Sequence, residues 1–128
     1  MMVRAMRRVL IVDDERLFGE ALRDFLSDTY EVELTTTVAT TLARLRDGAP
    51  FDVILCDVQL PDGTAMHIYE ALRAADATRG FVFVSGGTDD PDVRALVASG
   101  RHPVLVKPFD LDTLPALIER QASLARLG

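Results

Sequence analysis

The chain has 128 residues, 48% of them hydrophobic and 27% charged, which suits one domain with a buried core and excludes a large multidomain enzyme or a disordered chain. With 14 Lys and Arg against 20 Asp and Glu the net charge is −6, opposite to what a phosphate backbone attracts, so direct nucleic-acid binding is not expected. The single cysteine, Cys56, cannot form an internal disulfide, and no apolar run approaches the ~20 residues of a membrane span, so the expectation is a cytoplasmic protein with no membrane insertion.

The first apolar run, residues 9–12, follows Arg7 and Arg8 and stops at Asp13. It is too short for a signal peptide and reads as a strand buried on both faces. Leu17, Ala21, Leu22, Phe25 and Leu26 then have helical spacing and are expected to form an inward stripe. Residues 30–35 alternate Val32 and Leu34 with Glu31 and Glu33, the pattern of a strand nearer a sheet edge. Val38, Leu42 and Leu45 mark a second helix, closed by Asp47-Gly48-Ala49-Pro50. A third strand, 53–56, ends at Asp57 and is followed by a Pro61-Asp62-Gly63 turn and a helix carrying Met66, Ile68, Tyr69 and Leu72. A fourth strand, 81–84, ends at Ser85 and leads into the flexible loop Ser85-Gly86-Gly87-Thr88. Pro91 suits the first turn of a short helix with Val93, Leu96 and Val97, and Gly100 suits its end. The last strand, 104–106, is buried on both faces in this reading and precedes Lys107; Leu111, Leu114, Leu117, Ile118 and Leu124 complete a final helix. Five successive strand–helix units predict an α/β fold, a five-stranded parallel sheet with helices on both faces and right-handed crossovers.

In such sheets the working site lies outside the carboxyl ends of the strands. Asp13 and Asp14 follow the first strand, Asp57 ends the third, Ser85 the fourth and Lys107 the fifth. Any one of the Asp or Ser residues is ordinary as a helix N-cap, but the set brings three carboxylates, a hydroxyl and an ammonium to one edge. Clustered carboxylates repel unless a cation neutralises them, and hard oxygen ligands favour Mg2+ or Mn2+ over zinc. One carboxylate can then act as a nucleophile toward phosphorus, forming an acyl phosphate whose added charge Lys107 and Ser85 would help to stabilise.

These residues resemble the receiver domains of two-component response regulators. The matching pieces are Val9-Leu10-Ile11-Val12-Asp13-Asp14-Glu15, Asp52-Val53-Ile54-Leu55-Cys56-Asp57 with Leu60-Pro61 following, Val84-Ser85-Gly86, and Val106-Lys107-Pro108-Phe109. They stand in order, with 43 positions from Asp14 to Asp57, 28 to Ser85 and 22 to Lys107, and cover about residues 7–127. The resemblance implies a (βα)5 flavodoxin-like, doubly wound fold with Asp57 as acceptor of a phosphoryl group from a phosphohistidine. The donor would be a sensor histidine kinase or a histidine phosphotransfer protein, and an unidentified downstream protein would read the result. It further implies that Asp13, Asp14, Asp57 and the Gln59 backbone carbonyl hold Mg2+ or Mn2+, that Ser85 closes on the phosphate and Lys107 pairs with it, and that the Lys107-Pro108 bond is cis. On this reading residues 1–128 are a single receiver domain without an output domain, either standing alone or the receiver of a longer protein such as a hybrid sensor kinase, and a signalling phosphoacceptor, not an enzyme acting on other molecules.

Three features depart from the family pattern. Val104 stands where receivers usually carry an aromatic residue, Ala65 stands where a glycine commonly follows Leu60-Pro61, and the glycine-containing stretch 86–91 points to a reshaped face and to signalling through backbone rearrangement of residues 85–90. His67 and His102 are expected to be surface side chains, Cys56 a packed thiol, and Arg4, Arg7 and Arg8 a solvated basic cluster. Two alternatives compete. A Mg-dependent phosphatase with an aspartyl nucleophile needs a second acid two positions after it, where this chain has Gln59; a receiver-like binding module that is never phosphorylated does not need the complete set Asp13, Asp14, Asp57, Ser85 and Lys107.

Overall fold

A computed structural model of the chain describes residues 6–48, 50–87 and 90–126. In chain order these form β1 (Arg8–Val12), α1 (Arg16–Leu26), β2 (Glu31–Thr35), α2 (Val38–Asp47), β3 (Val53–Asp57), β4 (Gln59–Leu60), β5 (Gly63–Thr64), α3 (Ala65–Ala74), β6 (Phe81–Ser85), α4 (Pro91–Ala98), β7 (Val104–Val106) and α5 (Leu114–Arg126). Five of the strands make one parallel sheet in the order β2-β1-β3-β6-β7, the doubly wound arrangement expected from sequence. The remaining two, β4 and β5, pair as a small antiparallel hairpin with Pro61 and Asp62 at its tip.

Strand alternation divides the core into two layers. Leu10, Val12, Ile54, Cys56, Phe81 and Phe83 point toward α2, α3 and α4, whereas Val9, Ile11, Val53, Leu55, Val82 and Val84 point toward α1 and α5. Each large side chain fully buried in this way contributes about 1.5–3 kcal/mol of transfer free energy, which explains why the central strands read as uninterrupted apolar runs. β2 sits at one edge and is half-buried, as its alternating pattern predicts.

The inward stripe of α1 needs correcting. Leu22 and Leu26 are buried, but Leu17 is 84% and Phe25 38% exposed. Helical spacing determines which residues align; it does not decide which line faces the sheet, and here Phe18, Gly19, Leu22 and Leu26 do so. Gly19 faces Leu34 of β2 closely: a Cβ there would stand 2.8 Å from Leu34 Cδ1, so that side chain would have to shift.

A second correction concerns β7, which is not buried on both faces. As an edge strand it has β6 on one side only, and Val104 and Val106 are 36% and 59% exposed. The eight-residue α4 flanks it, capped by the Asp90 carboxylate, which accepts the Asp92 and Val93 N–H groups at 2.9 and 3.2 Å, with Pro91 in the first turn. The helix stops at Gly100, whose φ of +77° is left-handed and whose N–H reaches the Val97 carbonyl at 3.0 Å. Leu111 likewise belongs to a short 3-10 turn (Leu111–Thr113) preceding the last helix.

His102 is the third correction: it is 5% exposed, not a surface side chain. Its ring packs edge-on against Tyr69, and the two side chains hydrogen-bond each other, so the polar ring is satisfied inside an aromatic cluster with Phe81 and Phe83. His67 is exposed, its Nδ1 accepting the Thr64 N–H at the start of α3. Arg4 of the proposed basic cluster lies outside the described residues, as do Thr88 and Asp89 of the loop expected to rearrange. Among the described residues no helix is long and apolar enough to cross a membrane.

Candidate functional site

Strand register assembles the site. Val12 pairs with Cys56, Asp57 with Val84, and Ser85 with Val106, so the ends of β1, β3, β6 and β7 are level. The next residue after β1 is Asp13 and the next after β7 is Lys107. Two backbone bonds pin the neighbouring connections: Asp13 N–H donates to the Thr35 carbonyl at 3.0 Å, and Lys107 N–H to the Ser85 carbonyl at 2.8 Å.

Asp13, Asp14 and Asp57 each offer a carboxylate oxygen within 4.8 Å of the others. Asp13 and Asp57 are buried and Asp14 is exposed. Into this cluster reaches Lys107, whose Nζ lies 2.9 Å from Asp13 Oδ2 and 3.3 Å from Asp57 Oδ2. Burial raises the Asp57 pKa above the ordinary carboxylate value; Lys107 opposes the rise, and the Asp13 and Asp14 charges add to it. Burial works against the Lys107 charge, but bonds to Glu15 and Asp13 and the surrounding carboxylates outweigh it and raise that pKa. The site thus holds one fixed cation against a surplus of negative charge. Hard oxygen donors at this spacing fit a divalent cation of the Mg2+ class, with Asp14 open to solvent at its mouth.

Ser85 is positioned but not engaged with the carboxylates: it is buried at the end of β6, and its Oγ accepts the Gly87 N–H at 3.2 Å. Beside it Val104 leaves a small cavity of about 110 Å³, bounded on the other side by Val93 and Val97 of α4. Gln59 opens β4, two positions past the acceptor candidate. Cys56 is a core thiol, its pKa pushed up by burial and then by Asp57 and Asp13, and not a reactive group. The Lys107-Pro108 bond is cis.

Sequence reasoning missed three participants. Glu15 accepts from Lys107 Nζ at 2.9 Å, and the Phe18 ring lies under the same ammonium, 4.5 Å from its centroid. Phe18 is in turn held edge-on by Phe109 at 5.7 Å. Asp62, in the hairpin following Asp57, accepts the Val38 and Ala39 N–H groups at 2.7 and 3.0 Å and so ties that hairpin to the start of α2. Those backbone bonds, Ala39 foremost, hold the Asp62 carboxyl below its ordinary pKa. The run Asp13-Asp14-Glu15 was a visible signal for the first; nothing local marks Phe18 or Asp62.

Comparison with known proteins identifies the family and the fold. Residues 9–119 match the family model described as the Response regulator receiver domain. The chain is 29% identical to the transcriptional regulatory protein DltR of Streptococcus agalactiae, over 93% of this chain and 54% of that protein. It is 34% identical to the acid tolerance regulatory protein ActR of Rhizobium meliloti, over 89% of this chain and 59% of that one. The chain therefore spans little more than half the length of these relatives. Among solved structures, the chemotaxis response regulator CheY4 of Vibrio cholerae superposes with a TM-score of 0.77 at 30% identity, covering 91% of this chain and 99% of that one.

Proposed function

The chain belongs to the response regulator receiver domain family, and from that premise we propose that it is a phosphoacceptor in which Asp57 takes a phosphoryl group from a phosphohistidine. The observation that carries this reading is the Lys107 ammonium set between Asp57 and Asp13 inside a three-carboxylate cluster at level strand ends. An Asp57 oxygen forms a bond to phosphorus as the P–N bond of the phosphohistidine breaks, and the electron pair returns to the imidazole nitrogen. Asp57 is held by β3 with its carboxylate at the edge of the core, which fixes the direction of attack. Lys107 would neutralise the arriving charge, and Ser85, whose Oγ only accepts in its bond from Gly87 N–H, has its own O–H to donate to a phosphoryl oxygen. A Mg2+ or Mn2+ ion held by Asp13, Asp14, Asp57 and the Gln59 carbonyl would supply charge neutralisation for the transferring group when bound.

The donor in this reading is a sensor histidine kinase or a histidine phosphotransfer protein, and the phosphorylated state is read by another protein surface. The names of the relatives, transcriptional regulators of greater length, support an output located outside the residues matched here.

The test is direct phosphorylation. Incubated with Mg2+ and a small acyl-phosphate donor, the wild type is expected to gain one base-labile phosphoryl group by intact mass. Asp57→Asn should gain none, and chelating the metal should abolish the gain. A wild type that gains nothing, or an Asp57→Asn variant that gains as much, would sink the assignment.

A further inference from the structure

We propose that Glu15 is a positioning residue, a placeholder carboxylate that occupies on the Lys107 ammonium the place an oxygen of the incoming phosphoryl group takes as the donor binds. The proposal rests on the phosphoacceptor reading and adds to it a control over how readily the lysine becomes available.

The argument begins with donor inventory. An ammonium has three N–H groups, and Lys107 Nζ has three carboxylate partners: Asp13 Oδ2 at 2.9 Å, Glu15 Oε1 at 2.9 Å and Asp57 Oδ2 at 3.3 Å. The Phe18 ring closes a further side at 4.5 Å. Hydrogen bonds to Glu15 and Asp57 and the close Asp13 carboxylate crowd the ammonium, so an arriving phosphoryl oxygen competes with these carboxylates for it. The three differ greatly in what release costs. The side chains of Asp13 and Asp57 are 3% and 10% exposed, and before the phosphoryl group is transferred, freeing either leaves a buried carboxylate without its cation. Glu15 is 64% exposed and simply returns to water.

A second observation points the same way. Glu15 is the N-cap of α1, where a side chain ordinarily satisfies the first helical N–H groups, yet it makes no such bond. Its backbone N–H is anchored instead on Asp13 Oδ1 at 2.8 Å, which aims the residue at the site, and its carboxylate extends to Lys107. The helix start gives up a capping contact, and the ammonium gains a partner that can leave.

Removing the placeholder frees one donor and takes a negative charge away from the path of an anionic donor. Glu15→Gln is therefore expected to lower the half-saturating concentration of a small acyl-phosphate donor about two- to fivefold, the range of one exposed ion pair, with the rate at saturation little changed. The deciding measurement repeats the substitution in a Lys107→Ala background, or in Lys107→Gln if the alanine variant loses its far-UV circular dichroism. If Glu15 acts through the lysine, the gain disappears there. The same gain in both backgrounds would mean a field effect alone and would overturn the contact role. A Glu15→Gln variant that matches the wild type or needs more donor would overturn it too, while leaving the phosphoacceptor reading intact provided the wild type is phosphorylated on Asp57. A wild type that takes no phosphate removes both.

Discussion

The two ends of the central sheet bury ionisable groups in opposite ways. At the carboxyl ends, Asp13 and Asp57 share Lys107 with Glu15, and Asp14 adds charge at the mouth, so negative charge is left in surplus. At the amino end of β6 and β7, His102 is neutral and fully matched: its Nδ1–H donates to the Phe81 carbonyl at 3.1 Å, and its Nε2 accepts from the Tyr69 hydroxyl at 2.9 Å. One end keeps electrostatic tension that a ligand can relieve; the other spends its polar groups on rigidity. The same sheet supports both because strand ends expose side chains to different surroundings, acidic loops at one pole and an aromatic cluster of Tyr69, Phe81 and Phe83 at the other.

If that contrast is right, breaking the matched end should cost stability and leave phosphorylation unchanged. Tyr69→Phe removes the only donor shown for His102 Nε2 and is expected to destabilise the fold by about 1–3 kcal/mol in denaturant titration, with the acyl-phosphate reaction of the folded protein unaffected. A comparable loss of phosphorylation would show that the two ends are coupled.

Acid should next separate the ends by sign. Burial is the main cause holding the His102 pKa below its ordinary value, against the bond to the Phe81 carbonyl, which favours the protonated ring. Between the folded value and about 6.5 the unfolded chain therefore binds more protons, and stability falls as pH drops through that window, by at most about 1.4 kcal/mol per pH unit. Thermal melts should show this slope in the wild type and a flatter one in His102→Asn; equal slopes would remove His102 as its source.

The smallest expected effect belongs to the charged end. Because burial and neighbouring carboxylates raise the Asp57 pKa, its ionised form is penalised by folding. Asp57→Asn should raise Tm by roughly one or two degrees at neutral pH without metal, an advantage that fades as pH falls through the carboxylate range and the wild-type carboxyl takes up its proton. A loss of stability instead would mean that the Lys107 contact outweighs the repulsion.

Much of this molecule was readable before any fold was known. Uninterrupted apolar runs ending at Asp13, Asp57, Ser85 and Lys107 specified parallel strands and the edge where these polar side chains gather, because a strand covered on both faces must be apolar along its length while its end need not be. Turn and cap residues such as Pro91 and Gly100 worked for the same local reason, through backbone angles that depend on one residue at a time. The tertiary structure decided matters of orientation and partnership. Leu17 aligns with Ala21 and Phe25 in any helix, but only packing against β2 turned that line outward. Val104 and Val106 read as core, and an edge position with a short neighbouring helix left them exposed. His102 carries no local sign of burial, since the groups that satisfy it, Tyr69 and the Phe81 carbonyl, are distant in sequence. Glu15 and Phe18 meet Lys107 across about ninety positions of chain, a contact no spacing rule encodes. The sequence by itself determined which strand ends carry charge, because hydrophobic periodicity is local; which charges share one ammonium was decided by the sheet, because register alone brings the ends of β1, β3 and β7 level.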